Sequence, residues 1–232
     1  MKIALIGDSL TEGRPGVSFA KILQEKFPEC TFSNLGKPGE SVKSLDKRLT
    51  KNELAQNNDL SFLWIGVNDV YSKLLSVQAQ PVAKDHDEFK EYYEKNLAAA
   101  LTSSKKVVVV SPALIGEDLN NASNQEIKQL SSLIESLSAK HSNVHFLNLH
   151  SIFIEHLSTV RSSDYISTKV IRVMLDVLFY KNPARIDKLS KERGLHFTMD
   201  GIHLNSKGAQ VVADAFAAKI DEIAFNKKEN IL

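Results

Sequence analysis

Short apolar runs alternate with longer amphipathic stretches along most of the chain. The apolar runs cover residues 2–6, 31–35, 60–65, 106–111 and 144–149. Four consecutive valines, Val107 to Val110, are typical of a strand that is buried on both faces of a sheet. The stretches between the runs have the spacing of helices with one buried face, near residues 17–27, 41–50, 87–104, 124–140 and 206–224.

This alternation predicts an α/β fold with three layers, α/β/α. Strands that alternate with helices form parallel sheets with right-handed crossovers, and we expect a doubly wound, five-stranded sheet with the flavodoxin-like strand order. Ligands of such sheets bind at the carboxyl ends of the strands. No repeat, linker or low-complexity tract divides the sequence, so we interpret residues 1–232 as one domain.

The segment from about 150 to 198 does not follow the alternation, and it predicts a helical insertion. Its middle part, Val170 to Tyr180, is apolar on more than one face, which a single surface helix does not require. The sequence allows three interpretations of this apolar segment. The segment is an additional core helix, a cap that lines an acyl pocket over the active site, or the contact of a homodimer.

Two short motifs at opposite ends of the chain carry the candidate chemistry. Gly7-Asp8-Ser9-Leu10 follows the first apolar run, so a strand that ends there presents the Ser9 hydroxyl at the carboxyl edge of the sheet. Asp200 precedes His203 by three residues, a spacing that can hold a carboxylate against one imidazole nitrogen. A serine, a histidine and an aspartate in this arrangement are a nucleophile, its general base and the group that orients the base. We expect Asp8 to support the backbone around Ser9.

Two further segments offer donors for an oxyanion. Gly66-Val67-Asn68-Asp69 follows residues 60–65, and Asn34 to Ser41 follows the second apolar run. Acyl transfer requires hydrogen-bond donors aimed at the oxygen that becomes negative, and an asparagine amide or a glycine N–H can fill this role. Asn68 is a suitable donor because its amide stays neutral at every working pH. We assign Asp69 a structural role.

These four segments together resemble the SGNH family, also called the GDSL hydrolases. The resemblance implies that Ser9 is the nucleophile and that its N–H is the first oxyanion donor. It implies that the N–H of Gly39 is the second donor, with Gly36 as the rival candidate, and that Asn68 is the third. Asp200 and His203 match the last block. Two positions differ from the family pattern: Val67 replaces a glycine of the third block, and Leu204 stands where proline often follows the histidine.

The resemblance implies a serine hydrolase that cleaves a small-molecule acyl ester through an acyl-enzyme. Acetyl esters of sugars, short acyl esters, thioesters and lysophospholipids are substrates of the family. A thioesterase or lysophospholipase, or an acyltransferase that uses the same site, is the nearest alternative. A non-catalytic binding protein on the same fold is the alternative from a different class.

Composition and the absence of certain motifs narrow the possible partners, cofactors and cellular location. The formal net charge of +1 gives no electrostatic footprint for nucleic acid. No apolar stretch approaches the roughly 20 residues that span a bilayer, and no dinucleotide-binding or Walker motif suggests a cofactor. No histidine shows spacing that indicates a metal site. The single cysteine, Cys30, cannot form an internal disulfide, and with no recognisable leader we expect a cytoplasmic protein.

Overall fold

A five-stranded parallel sheet forms the centre of the molecule. The computed structural model describes residues 1–75, 80–168 and 182–225. The spatial order of the strands is β2-β1-β3-β4-β5, which confirms the predicted flavodoxin-like order. The strands are β1 (Lys2–Gly7), β2 (Thr31–Gly36), β3 (Asn58–Trp64), β4 (Ser104–Val110) and β5 (Val144–Leu147).

The register of the sheet brings the strand ends to one common edge. Gly7 lies beside Gly36 on one side and beside Trp64 on the other. Trp64 in turn lies beside Val110, and Val110 beside Leu147. Because all five strands are parallel, the loops that follow these residues meet at the same edge.

The helices of the described residues fall into two packed groups. In one group α5 contacts both α3 and α6, and in the other α2 packs against the last helix, α9. The helices are α1 (Ser9–Glu12), α2 (Phe19–Lys26), α3 (Val42–Lys51), α4 (Val67–Tyr71), α5 (His86–Ser103), α6 (Ala122–Ser138), α7 (Leu149–Leu157), α8 (Pro183–Glu192) and α9 (Ser206–Phe225), with a 3-10 turn at Ser72–Leu74.

Polar caps fix where several of these helices begin. The Ser41 hydroxyl accepts the N–H of Ser44, whose own hydroxyl accepts the N–H of Ser41, and this pair forms a capping box at α3. Carboxylate or amide oxygens of Asp85, Asn121 and Asn148 cap α5, α6 and α7. The Asn148 cap explains why β5 ends at Leu147 rather than at the predicted residue 149: the chain enters α7 there.

Aromatic packing attaches the last helix to the sheet. Phe62 and Trp64 are two residues apart on β3, so their side chains point to the same face. Phe216 of α9 stacks on Phe62 with 4.3 Å between ring centroids, and it also contacts Phe19 of α2 at 4.9 Å. This cluster positions α9, and therefore the segment that precedes it, against the sheet.

The predicted insertion is only partly described. Its first residues belong to α7, whose Phe153 lies fully buried in the core, and its last part contains α8. Residues 169–181, which include the whole apolar segment Val170 to Tyr180, lie outside the described residues. Within the described ranges, no helix is long and apolar enough to cross a membrane.

Candidate active site

Ser9 lies at the point where β1 turns into the short helix α1. Asp8 caps this helix, and its Oδ1 accepts the N–H of Leu10 at 2.9 Å. A side chain at Gly7 would meet Thr11 Oγ1 at 2.2 Å and the Trp64 carbonyl oxygen at 2.3 Å, so only glycine allows the helix to fold back this tightly. The tight turn holds the Ser9 hydroxyl at the carboxyl edge of the sheet.

The structure brings Ser9, His203 and Asp200 into one hydrogen-bonded chain. Ser9 Oγ lies 3.1 Å from His203 Nε2, across 194 positions of sequence. His203 Nδ1 lies 2.7 Å from Asp200 Oδ2. All three side chains are buried, Asp200 completely.

A small hairpin presents the acid and the base together. Thr198 and Leu204 form an antiparallel bridge, and Met199 N–H donates to the His203 carbonyl at 2.7 Å. Asp200 Oδ1 accepts the N–H groups of Ile202 at 3.0 Å and His203 at 2.8 Å. One Asp200 oxygen therefore closes the turn while the other faces the imidazole, which explains why the spacing of three residues works.

The electrostatic environment keeps Asp200 ionised. Burial alone would raise the pKa of Asp200, but the charge and hydrogen bonds of His203, together with the Ile202 N–H, hold this pKa below its ordinary value. Asp8 has no comparable partner. Burial raises the pKa of Asp8 to about 7, and the Leu10 N–H and His203 offset this effect only in part.

The second segment contains two glycines with different physical roles. Gly36 ends β2, its N–H donates to Asn34 Oδ1 at 3.0 Å, and an added Cβ would meet Glu12 N at 2.2 Å. Gly39 has a left-handed φ of +75°, and an added Cβ would meet nothing within 4 Å. Among the described residues, no group accepts a hydrogen bond from the Gly39 N–H. Gly36 is thus required for packing, whereas Gly39 leaves a free donor in an open turn.

Asn68 lies in α4, directly after β3, and contacts the same turn. Its Nδ2 donates to the carbonyl oxygen of Glu40 at 2.9 Å, which leaves the second amide hydrogen available. Gly66 has a φ of +123°, and a Cβ there would meet Phe89 and Pro112 at 3.1 Å. The glycine that this turn requires is Gly66, and the next position tolerates Val67, which is buried in the core.

Three further buried carboxylates lie around the site, and only Asp69 among them was assigned a role from the sequence. Glu40 accepts two hydrogen bonds from Arg48, both at 2.7 Å, which anchors the turn after Gly39. Asp69 accepts the N–H groups of Val42 at 3.0 Å and Ala83 at 3.2 Å, so its structural work ties other segments to α4. Glu117 accepts hydrogen bonds from the segment before the hairpin. Of the two that were not predicted, Glu40 and Glu117, only Glu40 had a usable signal in the sequence, its adjacency to Gly39.

Metal-ligating side chains do not converge in the described ranges. There, no group of three His, Cys, Asp or Glu side chains is arranged to hold an ion.

Serine, histidine and aspartate side chains in one hydrogen-bonded chain, beside a parallel α/β sheet, are an arrangement that serine hydrolases use. The sequence model of the GDSL-like Lipase/Acylhydrolase family matches residues 3–216. The chain belongs to this family, and it is a carboxylic ester hydrolase of the serine type.

Characterised relatives are distant in sequence. An acetylxylan esterase from Geobacillus stearothermophilus is 23% identical over 181 residues, which cover 68% of this chain and 80% of that protein. The crystal structure of the acetyl xylan esterase AlAXEase aligns with a TM-score of 0.66 at 23% identity, covering 95% of this chain and all of the other. A member of the lipolytic G-D-S-L family from Veillonella parvula aligns with a TM-score of 0.65 at 16% identity, covering 94% and 97% of the two chains. At these identities the structural likeness supports the fold.

Proposed function

We propose that Ser9 is the nucleophile of this esterase, His203 its general base and Asp200 the group that orients the base. The observation that carries the proposal is the hydrogen-bonded chain from Ser9 Oγ through His203 to Asp200, with distances of 3.1 and 2.7 Å. With the Nδ1 proton donated to Asp200 Oδ2, the lone pair of Nε2 faces the Ser9 hydroxyl and can take its proton. Asp8 supports this arrangement by capping α1.

The reaction proceeds in two halves. His203 removes the proton from Ser9 as the hydroxyl attacks the ester carbonyl, and the resulting imidazolium is stabilised by the Asp200 carboxylate. His203 then returns the proton to the leaving alcohol, and an acyl-enzyme remains on Ser9. Water then gives a proton to His203 and attacks the acyl carbonyl. When the bond to Ser9 Oγ breaks, His203 returns this proton to Oγ, and the carboxylic acid leaves a free serine hydroxyl.

Three neutral donors stabilise the oxyanion in this proposal: the N–H of Ser9, the N–H of Gly39 and the side-chain amide of Asn68. The free Gly39 N–H and the Asn68–Glu40 hydrogen bond support the grouping, because that bond brings the Asn68 amide to the turn that contains Gly39. Gly36 is the weaker candidate since its N–H already donates to Asn34. Donors that are fixed before the reaction require no reorganisation in the transition state.

Acetyl esters of sugars are the substrate class that we propose. The support comes from the relatives, since an acetylxylan esterase and an acetyl xylan esterase are among the similar proteins. An acyl pocket formed by Val170 to Tyr180 would favour longer chains, but that part lies outside the described residues. The cytoplasmic location and the homodimer stay predictions, which cell fractionation and light scattering would test.

The test is hydrolysis of p-nitrophenyl esters from acetate to decanoate by the wild type, by Ser9→Ala and by Ser132→Ala. Ser132 is an exposed serine of α6 and serves as the matched control. We expect the highest kcat/KM for acetate, loss of turnover in Ser9→Ala and wild-type turnover in Ser132→Ala. Equal turnover by Ser9→Ala would overturn the assignment, and an optimum at octanoate or decanoate would overturn the substrate class. Product analysis with added alcohols separates hydrolysis from acyl transfer.

A further inference from the structure

Glu117 is a buried carboxylate that the reaction described above does not use. It lies in the loop after β4, and only 3% of the residue is exposed. Its Oε1 accepts the N–H groups of Phe197 at 2.8 Å and Thr198 at 2.9 Å, and the Thr198 hydroxyl at 2.9 Å. Its Oε2 accepts the N–H of His196 at 2.7 Å. Hydrogen bonds to a charged acceptor are stronger than those between neutral groups.

The direction of these donors indicates what Glu117 does to the backbone. Successive N–H groups of a regular strand point in opposite directions, so they cannot reach one acceptor. Here three successive N–H groups, from residues 196–198, converge on a single carboxylate. Such a bend concentrates positive partial charge, and an anion at its centre stabilises it.

The bent segment leads directly into the hairpin that carries Asp200 and His203. Thr198 begins the hairpin through its bridge with Leu204. The loop of Glu117 also contacts the turn itself, since Gly116 N–H donates to the Gly201 carbonyl oxygen at 2.6 Å. The opposite arm is held separately, because Val17 N–H donates to the Leu204 carbonyl oxygen at 2.8 Å.

We propose that Glu117 is a positioning residue that sets the placement of His203 relative to Ser9. The inference rests on the proposed roles of these two residues. Glu117 acts through the backbone of residues 196–198 and contacts no reacting atom in this account. Its loss shifts the hairpin arm, lengthens the contact between Ser9 Oγ and His203 Nε2, and slows proton transfer while leaving ester binding unchanged.

The substitution Glu117→Gln tests this proposal with little change of volume. The glutamine oxygen can still accept the hydrogen bonds from Phe197 and Thr198. Its NH₂ group, however, would face the N–H of His196, and two donors cannot form a hydrogen bond with each other. We expect kcat for p-nitrophenyl acetate to fall about tenfold with KM nearly unchanged, since a misplacement near 1 Å caused outside the chemistry can cost on the order of 10²-fold. The rate at which a fluorophosphonate labels Ser9 should fall by a similar factor.

The matched control is Asn58→Ala, which removes a buried amide at the opposite edge of the sheet. Asn58 Nδ2 donates to the carbonyl oxygens of Ala55 at 2.7 Å and Ser103 at 3.3 Å. This variant should lower Tm without changing kcat in the folded protein. A Glu117→Gln protein that behaves in the same way, with lower Tm and wild-type kcat and labelling rate, overturns the proposal.

A second variant keeps the proposal testable if Glu117→Gln does not fold. Thr198→Val removes only the hydrogen bond from the Thr198 hydroxyl to Glu117. It should lower kcat about threefold, a factor that the free energy of one hydrogen bond can account for. An unchanged kcat in Thr198→Val would then decide against the proposal. Failure of the proposed function is distinguishable, because His203→Ala would in that case retain full activity, whereas failure of this inference leaves His203→Ala inactive.

Discussion

At the scale of single residues, Asn68 allows a direct test of the oxyanion site. Removing one donor of this kind lowers kcat on the order of 10² to 10³-fold because the charge that develops in the transition state loses its partner. Asn68→Ala should therefore lower kcat by this factor, measured with p-nitrophenyl acetate, while circular dichroism shows a folded protein.

Asn96→Ala is the matched control for this prediction. Asn96 is also a buried asparagine, and its Nδ2 also donates to a backbone carbonyl oxygen, that of Val42, at 2.9 Å. It should lower stability in the same way and leave kcat unchanged. Near-wild-type turnover by folded Asn68→Ala would remove Asn68 from the oxyanion site.

Asp8 makes a prediction about stability and pH. Its pKa is about 7 in the folded protein, above the ordinary 3.8, so the native state holds the proton more tightly than the unfolded chain does. The stabilisation from this proton is complete below about pH 4 and is lost as the pH rises to 7, at about 1.4 kcal/mol for each pH unit crossed. Asp8→Asn carries no such proton, and its amide oxygen can still accept the Leu10 N–H.

The measurement is the free energy of unfolding of both proteins between pH 4 and 7. The wild type should lose a few kcal/mol relative to Asp8→Asn across this window. Asp69, whose pKa burial raises to about 6, is present in both proteins, so the effect of its own burial cancels and only its weaker repulsion with Asp8 differs. A difference that stays constant with pH would contradict the raised pKa.

Residues whose role depends on neighbours in sequence could be predicted, and those whose role depends on distant contacts could not. The motif around Ser9 and the spacing of Asp200 and His203 are visible in the chain itself. Glu117 bonds to residues that are 79 to 81 positions away, and no local pattern around it points to those partners. Its function exists only once the loop after β4 lies against the hairpin.

At the scale of elements, the two glycines of the second segment should respond differently to alanine. Gly39→Ala should lower the free energy of unfolding by about 1 kcal/mol or more, because a residue with a Cβ is strained in the left-handed backbone conformation. The protein should fold, and kcat should fall because the peptide that carries the free N–H relaxes away from its position. In Gly36→Ala the new methyl group meets the α1 backbone at 2.2 Å, so the protein should be strongly destabilised.

Thermal unfolding and kcat of both variants check this pair. A Gly39→Ala protein with full kcat would exclude its N–H from the oxyanion site. A stable, active Gly36→Ala protein would contradict the packing between α1 and β2.

The strands and helices of the regular alternation were predicted from the sequence within a few residues, but the short helices that carry the site were not. Helices α1 and α4 have four and five residues, too short for a hydrophobic period. They form because Gly7 and Gly66 permit tight turns after buried strands, and in α1 because Asp8 caps the first turn. These turns place Ser9 and Asn68, so the local geometry of the site depended on contacts that periodicity does not contain.

At the scale of the whole molecule, Phe216 couples the last helix to the sheet. Its ring packs against those of Phe19 and Phe62, and its centroid lies 6.0 Å from that of Trp64, the single tryptophan of the chain. Phe216→Ala should lower the free energy of unfolding by about 3–5 kcal/mol, through lost burial and the cavity that remains. Denaturant titration followed by Trp64 fluorescence measures this directly.

The folded fraction of Phe216→Ala should keep the wild-type kcat, since the rings that Phe216 packs against belong to the core and have no role in the proposed reaction. A variant with unchanged stability and reduced kcat would contradict this division between core and site.

The strand order of the molecule followed from the sequence because parallel strands with helical crossovers leave few topologies. The edge on which the site lies followed for the same reason, since the motifs come directly after β1, β2 and β3. The segment between α7 and α8 departs from the alternation, so no such rule applied to it. Its three interpretations remain distinguishable by experiment rather than by pattern.

Covalent labelling of the active protein with a fluorophosphonate, followed by peptide mass spectrometry, decides whether Ser9 is the nucleophile. A nucleophile activated as described should carry one adduct, on Ser9, and labelling should be abolished in Ser9→Ala and much slower in His203→Ala. Labelling at a different residue, or an active esterase whose Ser9 stays unmodified, would contradict the account.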